Sequence, residues 1–314
     1  MAAEPSDGPI LVIGATGRHG STGGHLVRRL RDDGHPVRVL SRTTGEHTQR
    51  LMALGAEVVV GDLHDRQSLV PALHEVDLAY FTYPIAGGVI AAAANYAAAV
   101  REVGRRPRTV VMSMGPSHPG HPSTLGKDQW LAEEVLQWAG LDVLVLRVAA
   151  LFHENLLALH SRSVRRDAVI RNSFGANPIG WINGRDAAGL ARAALLHPER
   201  FDGPVVYPGG TEDFTHDEIA GLLTELLGRP IRFEPVDREA WRAELVDLAA
   251  LDGGGVVNPA MAQHISAVGH VVAHNGPTRR ADPDGLRRLI DGEPVGLREF
   301  LEANIGTFAA ATGD

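Results

Sequence analysis

The chain has 314 residues, enough for one full α/β domain with a smaller appendage, and its formal net charge of −8 opposes binding to a nucleic-acid backbone. Hydrophobic residues make up 44% and charged residues 22%, and no apolar run reaches the roughly 18 residues that cross a bilayer. There is no cysteine, which excludes disulfides, thiolate metal sites and thiol nucleophiles. We therefore expect a cytoplasmic protein that binds neither nucleic acid nor membrane.

In the first half of the chain, short apolar runs alternate with helical segments. Residues 1–9 are small and polar and are predicted to form a disordered tail. Alternation of strands and helices beyond them predicts right-handed crossovers and a doubly wound parallel sheet. The predicted strands are 10–13, 37–40, 57–60, 78–82, 109–114 and 143–146, and the predicted helices include 46–54, 67–73, 89–103 and 129–139.

The rhythm changes after Arg147. An Arg-, Asn-, Gly- and Pro-rich stretch runs to Trp181, and Asp186 is the predicted N-cap of a helix over 186–196. A strand at 205–207, a helix at 216–227, a strand at 231–234 and further helices follow, with loops at 253–255 and 275–284. We predict one α/β domain over 10–155, to which 182–207 returns, and a smaller, mostly helical C-terminal subdomain formed by 156–181 and 208–314.

The first strand runs directly into a glycine-rich turn. Gly14, Gly17 and Gly20 are spaced Gly-x-x-Gly-x-x-Gly: the first permits the tight turn, the second lets a pyrophosphate approach, and the third lets the helix pack on the sheet. The helix N-terminus then offers N–H groups and positive dipole to the anion. This pattern predicts a Rossmann-type dinucleotide site. The same turn contributes Thr16, Arg18 and His19 to it.

The end of the second strand indicates which dinucleotide binds. A site that prefers NAD places an acidic residue there, to bind the ribose 2′-hydroxyl. Here the sequence is Leu40-Ser41-Arg42, and Arg42 can bind a 2′-phosphate while Arg18 closes over it from the other side. We therefore predict NADP(H) as the cofactor. The alternative is that Arg42 is merely a solvated arginine.

The opening Ile-Gly-Ala-Thr-Gly at 13–17 resembles that of the NmrA-like family of atypical short-chain dehydrogenases/reductases. Further matching segments, spread over nearly the whole chain, are Gly61-Asp62-Leu63, Ser113-Met114-Gly115, Phe152-His153-Glu154-Asn155 and Tyr207-Pro208-Gly209-Gly210. The resemblance implies an NAD(P)-binding domain with a C-terminal subdomain that covers a small-molecule substrate. Members are either NADPH-dependent reductases of quinones, enones and similar compounds, or redox sensors that bind the cofactor without turning it over.

The resemblance also implies further cofactor contacts. Asp62 and Leu63 match family positions near the adenine, although Asp62 is equally well explained as a helix N-cap. Tyr83 ends the fourth strand beside the expected cofactor path. A homodimer is an option that the sequence leaves open.

Short-chain dehydrogenases usually activate the substrate carbonyl with a Tyr-x-x-x-Lys pair. This chain has tyrosine only at 80, 83, 96 and 207 and lysine only at 127, so the pair is absent. When Glu133 is matched to the family glutamate, the tyrosine and lysine positions fall on Leu125 and Gln129, and Lys127 is out of register.

Ser113 and His153 are then the predicted catalytic groups, because both follow strands at the carboxyl edge of the sheet. A strand-end structural role is the alternative for Ser113, and core packing is the alternative for His153. Two groups of histidines are considered as metal ligands: His118 with His121, and His264 with His270 and His274. Neither group has the nearby Asp, Glu or Cys that would complete a zinc site, so we predict no metal.

The leading hypothesis is an NADPH-dependent reductase of a small conjugated or quinone-like carbonyl compound. A non-catalytic NADP(H)-binding sensor, or a biosynthetic isomerase or cyclase with a structural or recycled nucleotide, are the alternatives.

Overall fold

A computed structural model of the chain describes residues 8–17, 20–251, 253 and 256–309. Residues 1–7 of the predicted tail, Arg18 and His19 of the predicted site, and residues 254 and 255 of a predicted loop lie outside the described residues. In the described ranges, no helix combines the length and the apolar character needed to span a membrane.

The centre of the molecule is a seven-stranded parallel sheet, as the alternation of elements predicted. With strands numbered along the chain, its order is β10-β6-β5-β4-β1-β2-β3. The sheet consists of β1 (Ile10–Ile13), β2 (Val37–Ser41), β3 (Glu57–Val60), β4 (Leu78–Phe81), β5 (Arg108–Met114), β6 (Val143–Val148) and β10 (Val205–Val206). Every one of these pairings is parallel, so the α/β, Rossmann-type fold class is confirmed.

Helices cover both faces of this sheet because its side chains alternate in direction. Val12 contributes to a core on one face and Leu11 to a core on the other. The helices that the first half of the chain contributes are α1 (Thr22–Asp32), α2 (Glu46–Ala53), α3 (Arg66–Leu69), α4 (Val89–Val103) and α5 (Thr124–Trp138). Helix α7 (Gly184–Leu196) packs on the same face as α1, and its buried alanines permit that close approach.

Most of the remaining elements surround a third core, which is rich in aromatic residues such as Trp181 and Trp241. The helices are α6 (Glu154–Asp167), α8 (His216–Leu227), α9 (Arg238–Leu251), α10 (Pro259–Asn275), α11 (Pro283–Ile290) and α12 (Leu297–Asn304). Helix α11 instead packs against α7. Two small sheets complete the fold: β11 (Glu212–Phe214), β9 (Ile179–Ile182) and β7 (Leu151–Phe152) form one, and β12 (Arg232–Pro235) with β8 (Val169–Asn172) the other.

Local predictions were wrong in two places. The Arg-, Asn-, Gly- and Pro-rich stretch that runs to Trp181, for which no strand was predicted, contains β8 and most of β9. Helix α7 is capped by Asn183, whose side chain accepts a hydrogen bond from the Arg185 N–H at 2.9 Å. The predicted cap, Asp186, lies inside the first turn and accepts a hydrogen bond from the Val295 N–H at 2.8 Å, so it ties α7 to a distant segment instead.

Candidate functional site

A cleft of about 460 Å³ lies at the carboxyl ends of the central strands, the position at which doubly wound sheets bind ligands. The sheet and its turns form one side, and α10 forms part of the opposite wall. The residues of the predicted site that line it are Gly14, Thr16, Gly17, Arg42, Asp62, Leu63, Tyr83 and Ser113.

The glycine turn begins as the spacing predicted. Gly14 has φ +84°, and a Cβ built on it would lie 2.3 Å from Thr82 Cγ2, so only glycine fits between the turn and β4. The N–H of Gly17 donates to the Gly14 carbonyl at 3.1 Å and closes the turn. This close approach brings the turn backbone to the cleft surface ahead of α1, where binding of a pyrophosphate stays our prediction.

The third glycine has a different role from the one expected. A Cβ on Gly20 would lie 2.7 Å from the Phe152 ring, so Gly20 makes room for β7 rather than for the helix. Close packing of α1 depends on Gly23, where a Cβ would lie 2.8 Å from Ala15 Cα. The assignment of helix packing to Gly20 was therefore wrong, because α1 begins only at Thr22.

Arg42 follows β2 directly and is exposed at one end of the cleft. Its guanidinium forms no ion pair with another described residue. Tyr83 lies nearby, where burial raises the pKa of its phenol. Its hydroxyl donates to the Gly87 carbonyl at 3.1 Å and is 2.7 Å from His64 Nε2. This end of the cleft thus offers an unpaired cation beside a fixed aromatic ring.

Asp62 is not a helix N-cap. The N-cap of α3 is Asp65, whose carboxylate accepts from the Gln67 N–H at 3.1 Å. Asp62 lies earlier, on the cleft wall, where its Oδ1 accepts from the His64 N–H at 2.9 Å. Of the two interpretations given for Asp62, the structure removes the cap and leaves the cofactor contact.

Ser113 belongs to a buried hydrogen-bond network at the end of β5. Its hydroxyl donates to Glu133 Oε1, and the hydroxyl of Ser117 donates to the same oxygen at 2.7 Å. Arg147 donates to Glu133 Oε2 through Nε at 2.9 Å and Nη2 at 2.5 Å, and to the hydroxyl of Tyr207 through Nη1 at 2.5 Å. The network fixes β5, β6 and α5 against one another. Because the Ser113 hydroxyl donates its proton to Glu133, this proton is not available to a ligand.

In the sequence, Glu133 served only to set the register with the family, and Arg147 had no predicted role. The available indication was Arg147, the one charged residue in the otherwise apolar strand β6, because charged residues are almost never fully buried unless paired.

The predicted catalytic role of His153 is wrong. Its side chain is fully buried, does not line the cleft, and lies 5.2 Å from the Phe300 ring of α12, centroid to centroid. Burial lowers the pKa of His153 to about 3, so the imidazole is neutral at physiological pH. Helix α6 begins at Glu154, and Phe152 and Asn155 on either side of His153 line the cleft in its place.

The other end of the cleft is apolar. Its walls include Met114, Phe174, Met261, Ile265 and Val268. Among the described lining residues, Arg42 and Asp62 are the only ones of the types Lys, Arg, Asp and Glu. They follow β2 and β3. Three amide side chains, Gln129, Asn155 and Asn258, interrupt the apolar surface.

The histidines considered as metal ligands lie in two places. His121 and His264 approach to 6.2 Å between ring centroids, and His270 and His274 to 4.2 Å on α10. Within the part of the chain that the structure describes, no three His, Asp or Glu side chains are grouped to hold a metal ion.

Comparisons with known proteins agree with this architecture. The model of the NmrA-like family matches residues 6–268. The chain is 28% identical over 312 residues to an NAD(P)H azoreductase of Xenophilus azovorans, covering 96% of this chain and 100% of the relative. It is 33% identical over 242 residues to a (4-alkanoyl-5-oxo-2,5-dihydrofuran-3-yl)methyl phosphate reductase of Streptomyces griseus, covering 76% and 80%.

Among solved structures, an NADPH-dependent quinone oxidoreductase from Escherichia coli, complexed with NADPH, superposes with a TM-score of 0.77 at 19% identity. The alignment covers 94% of this chain and 99% of that one, and it shows a shared fold. The resemblance inferred from the motifs is confirmed: the chain belongs to the NmrA-like family.

Proposed function

We propose that this protein is an NADP(H)-dependent oxidoreductase that reduces a small, uncharged carbonyl compound of the conjugated or quinone type. The observation that carries the proposal is the polarity of the cleft: a glycine turn and a free arginine lie toward one end, and an apolar chamber forms the other.

The residues present fit the nucleotide. Gly14 and Gly17 leave a cradle that side chains would fill, since a Cβ on either would lie 2.3 Å from Thr82 and 3.1 Å from the Gly14 carbonyl, respectively. The turn would hold the pyrophosphate, Arg42 the 2′-phosphate, and Asp62 with Tyr83 the adenosine end. When bound, NADPH supplies hydride from C4 of its nicotinamide.

The chain itself supplies orientation and an apolar environment. Ser113 stays our prediction for a polar group near the reacting atoms, but its proton goes to Glu133, so toward the cleft its hydroxyl can only accept. Neither a tyrosine–lysine pair nor His153 supplies an acid there. Hydride transfer to an activated acceptor depends more on orientation than on a strong acid, so the arrangement suits a conjugated carbonyl.

The scarcity of cationic side chains among the described lining residues favours an uncharged acceptor. Burying an unpaired phosphate there is costly, because the described lining residues offer it neither Lys nor Arg beyond Arg42. The names of the curated relatives, an azoreductase and a reductase of a phosphate ester, support reduction as the reaction.

The test is NADPH oxidation, followed by absorbance, with a panel of quinones, enones, azo compounds and aldehydes. Each is supplied in a neutral form and, where chemistry allows, as its phosphate ester. We expect turnover of at least one neutral quinone or enone and at least tenfold lower kcat/KM for its phosphorylated partner, which is about 1.4 kcal/mol. Tight NADPH binding without reduction of any acceptor would favour the sensor instead.

A further inference from the structure

Gln129 is a buried amide that has no hydrogen-bond partner in the described part of the chain. It lies on α5, only 7% of its surface is exposed, and it lines the cleft. Its carboxamide forms no hydrogen bond with any described residue, and its polar atoms are not sealed from the cleft. A ligand whose oxygen accepts a hydrogen bond from this amide is therefore favoured over one that leaves the amide without a partner.

Helix geometry places this amide beside the end of β5. Gln129 and Glu133 are four residues apart and share one face of α5. Glu133 accepts the hydrogen bond from Ser113, so Gln129 lies one helical turn from that contact, toward the start of α5. The carboxamide thus lies next to the predicted position of the reacting atoms.

Three other polar groups of the cleft wall are already bonded, whereas Oδ1 of Asn155 is buried without a partner among the described residues. The hydroxyl of Ser113 donates to Glu133, and His264 Nδ1 lies 2.6 Å from the hydroxyl of Ser123. The carboxamide of Asn258 caps α10 and donates to the Ile85 carbonyl at 3.0 Å. A carbonyl oxygen in the chamber needs a donor, and the free N–H groups of Gln129 can supply one.

We infer that Gln129 is a catalytic residue: its Nε2–H donates a hydrogen bond to the carbonyl oxygen of the acceptor and stabilises the negative charge that develops there. The inference rests on the proposed function. When the acceptor carbon gains hydride, the carbonyl π electrons move to this oxygen, which then takes a proton from water. An amide keeps its own proton, so Gln129 acts by electrostatics alone.

The first test is Gln129→Met, which keeps the length of the side chain and removes the donor. With the acceptor found above, we expect kcat/KM to fall about ten- to a hundredfold, while the Kd for NADPH stays within about twofold. Circular dichroism verifies the fold. Lys127→Met is the matched control, because Lys127 is exposed on the same helix and should leave both quantities unchanged.

A pH profile separates this role from packing. The step assisted by Gln129 has no titrating donor, so Gln129→Lys should add one new pH dependence, with activity falling as the pH rises through the pKa of the introduced ammonium. Gln129→Glu should be less active than Gln129→Met above the pKa of its carboxyl, since a second negative charge then faces the oxygen. Equal profiles for all variants would overturn the inference.

A binding measurement is independent of turnover. Calorimetry with 1,4-naphthoquinone and the NADP⁺-bound protein should show weaker quinone binding in Gln129→Met. If wild-type protein reduces no acceptor, the proposed function fails; if it does and Gln129→Met is as active, only this inference fails. Loss of NADPH affinity in Gln129→Met would assign the amide to the nucleotide and also overturn it.

Discussion

Arg42 is an exposed cation at the cleft, one residue beyond β2. We expect NADPH to bind at least about tenfold more tightly than NADH, because a charge-assisted hydrogen bond to the 2′-phosphate contributes about 1.5–3 kcal/mol. Arg42→Ala should abolish the preference. Fluorescence titration of both nucleotides measures it, and the preference should shrink at high salt, since an exposed charge is screened.

Arg50 provides the matched control. It lies on the exposed surface of α2, where it pairs with Glu46, and it does not line the cleft. Arg50→Ala should leave the nucleotide preference unchanged. Equal affinity of the wild-type protein for NADPH and NADH would mean that Arg42 is merely solvated.

The surroundings of a residue can be predicted from the sequence when they depend on its neighbours in the chain. They cannot be predicted when they depend on partners far away in the sequence. The positive φ of Gly14 and the place of Arg42 on the cleft wall follow from their positions after β1 and β2. His153 has an equally suggestive position, but the ring of Phe300, near the other end of the chain, receives it. In the sequence, Gln129 was identified only as the residue at the family's lysine position, because nothing in the sequence shows whether an amide is hydrogen-bonded.

At the scale of elements, the glycine turn and the start of α1 form one unit. Gly17→Val should abolish nucleotide binding and preserve the fold, because its side chain would occupy the space through which the pyrophosphate approaches. Calorimetry measures binding, and circular dichroism measures the fold. Nucleotide affinity retained in a folded Gly17→Val protein would contradict the assignment of the turn.

The control for this substitution is Gly221→Ala, in the exposed middle of α8. A Cβ there meets no atom within 4 Å, so alanine should raise the free energy of unfolding by up to about 1 kcal/mol and leave NADPH affinity unchanged.

The elements themselves were predictable to different degrees. The central strands are continuous apolar runs because helices bury both faces, and this pattern is visible locally. Strand β8 has only four residues, and its partner β12 follows more than sixty positions later, with Arg232 opposite Val169. Such a strand is stabilised by pairing rather than by its own pattern, which is why the sequence predicted no strand there.

For the whole molecule, buried titratable groups should make stability depend on pH. Burial lowers the pKa of His153 to about 3 and of His160 to about 4, and lowers that of His216 well below its ordinary value. The unfolded chain therefore binds more protons as the pH falls below about 6.5, and these histidines destabilise the fold there. Burial raises the pKa values of the carboxyls of Glu154 and Asp186, so these two groups destabilise the fold at high pH rather than at low pH.

Burial raises the pKa of Glu154 to about 7, so its ionised form destabilises the fold at high pH, and that cost disappears as the pH falls toward about 4.5. Glu154→Gln should therefore raise the free energy of unfolding by about 1–3 kcal/mol at pH 8 and change it little at pH 4.5. Denaturant unfolding at both pH values tests this. Glu239→Gln is the control. Its side chain is 81% exposed, so this substitution should leave the free energy of unfolding nearly unchanged at both pH values. A stabilisation equal at both pH values would contradict the linkage.

The two sides of the cleft come from separate stretches of the chain. The glycine turn and Arg42 belong to the first fifty residues, whereas Met261, Ile265 and Val268 belong to α10. Substitutions in α10 can reshape the chamber while every contact within the turn stays as it is. Such a division lets selection change which acceptor fits without first rebuilding the machinery that carries reducing power, so this scaffold is suited to diversify through one helix.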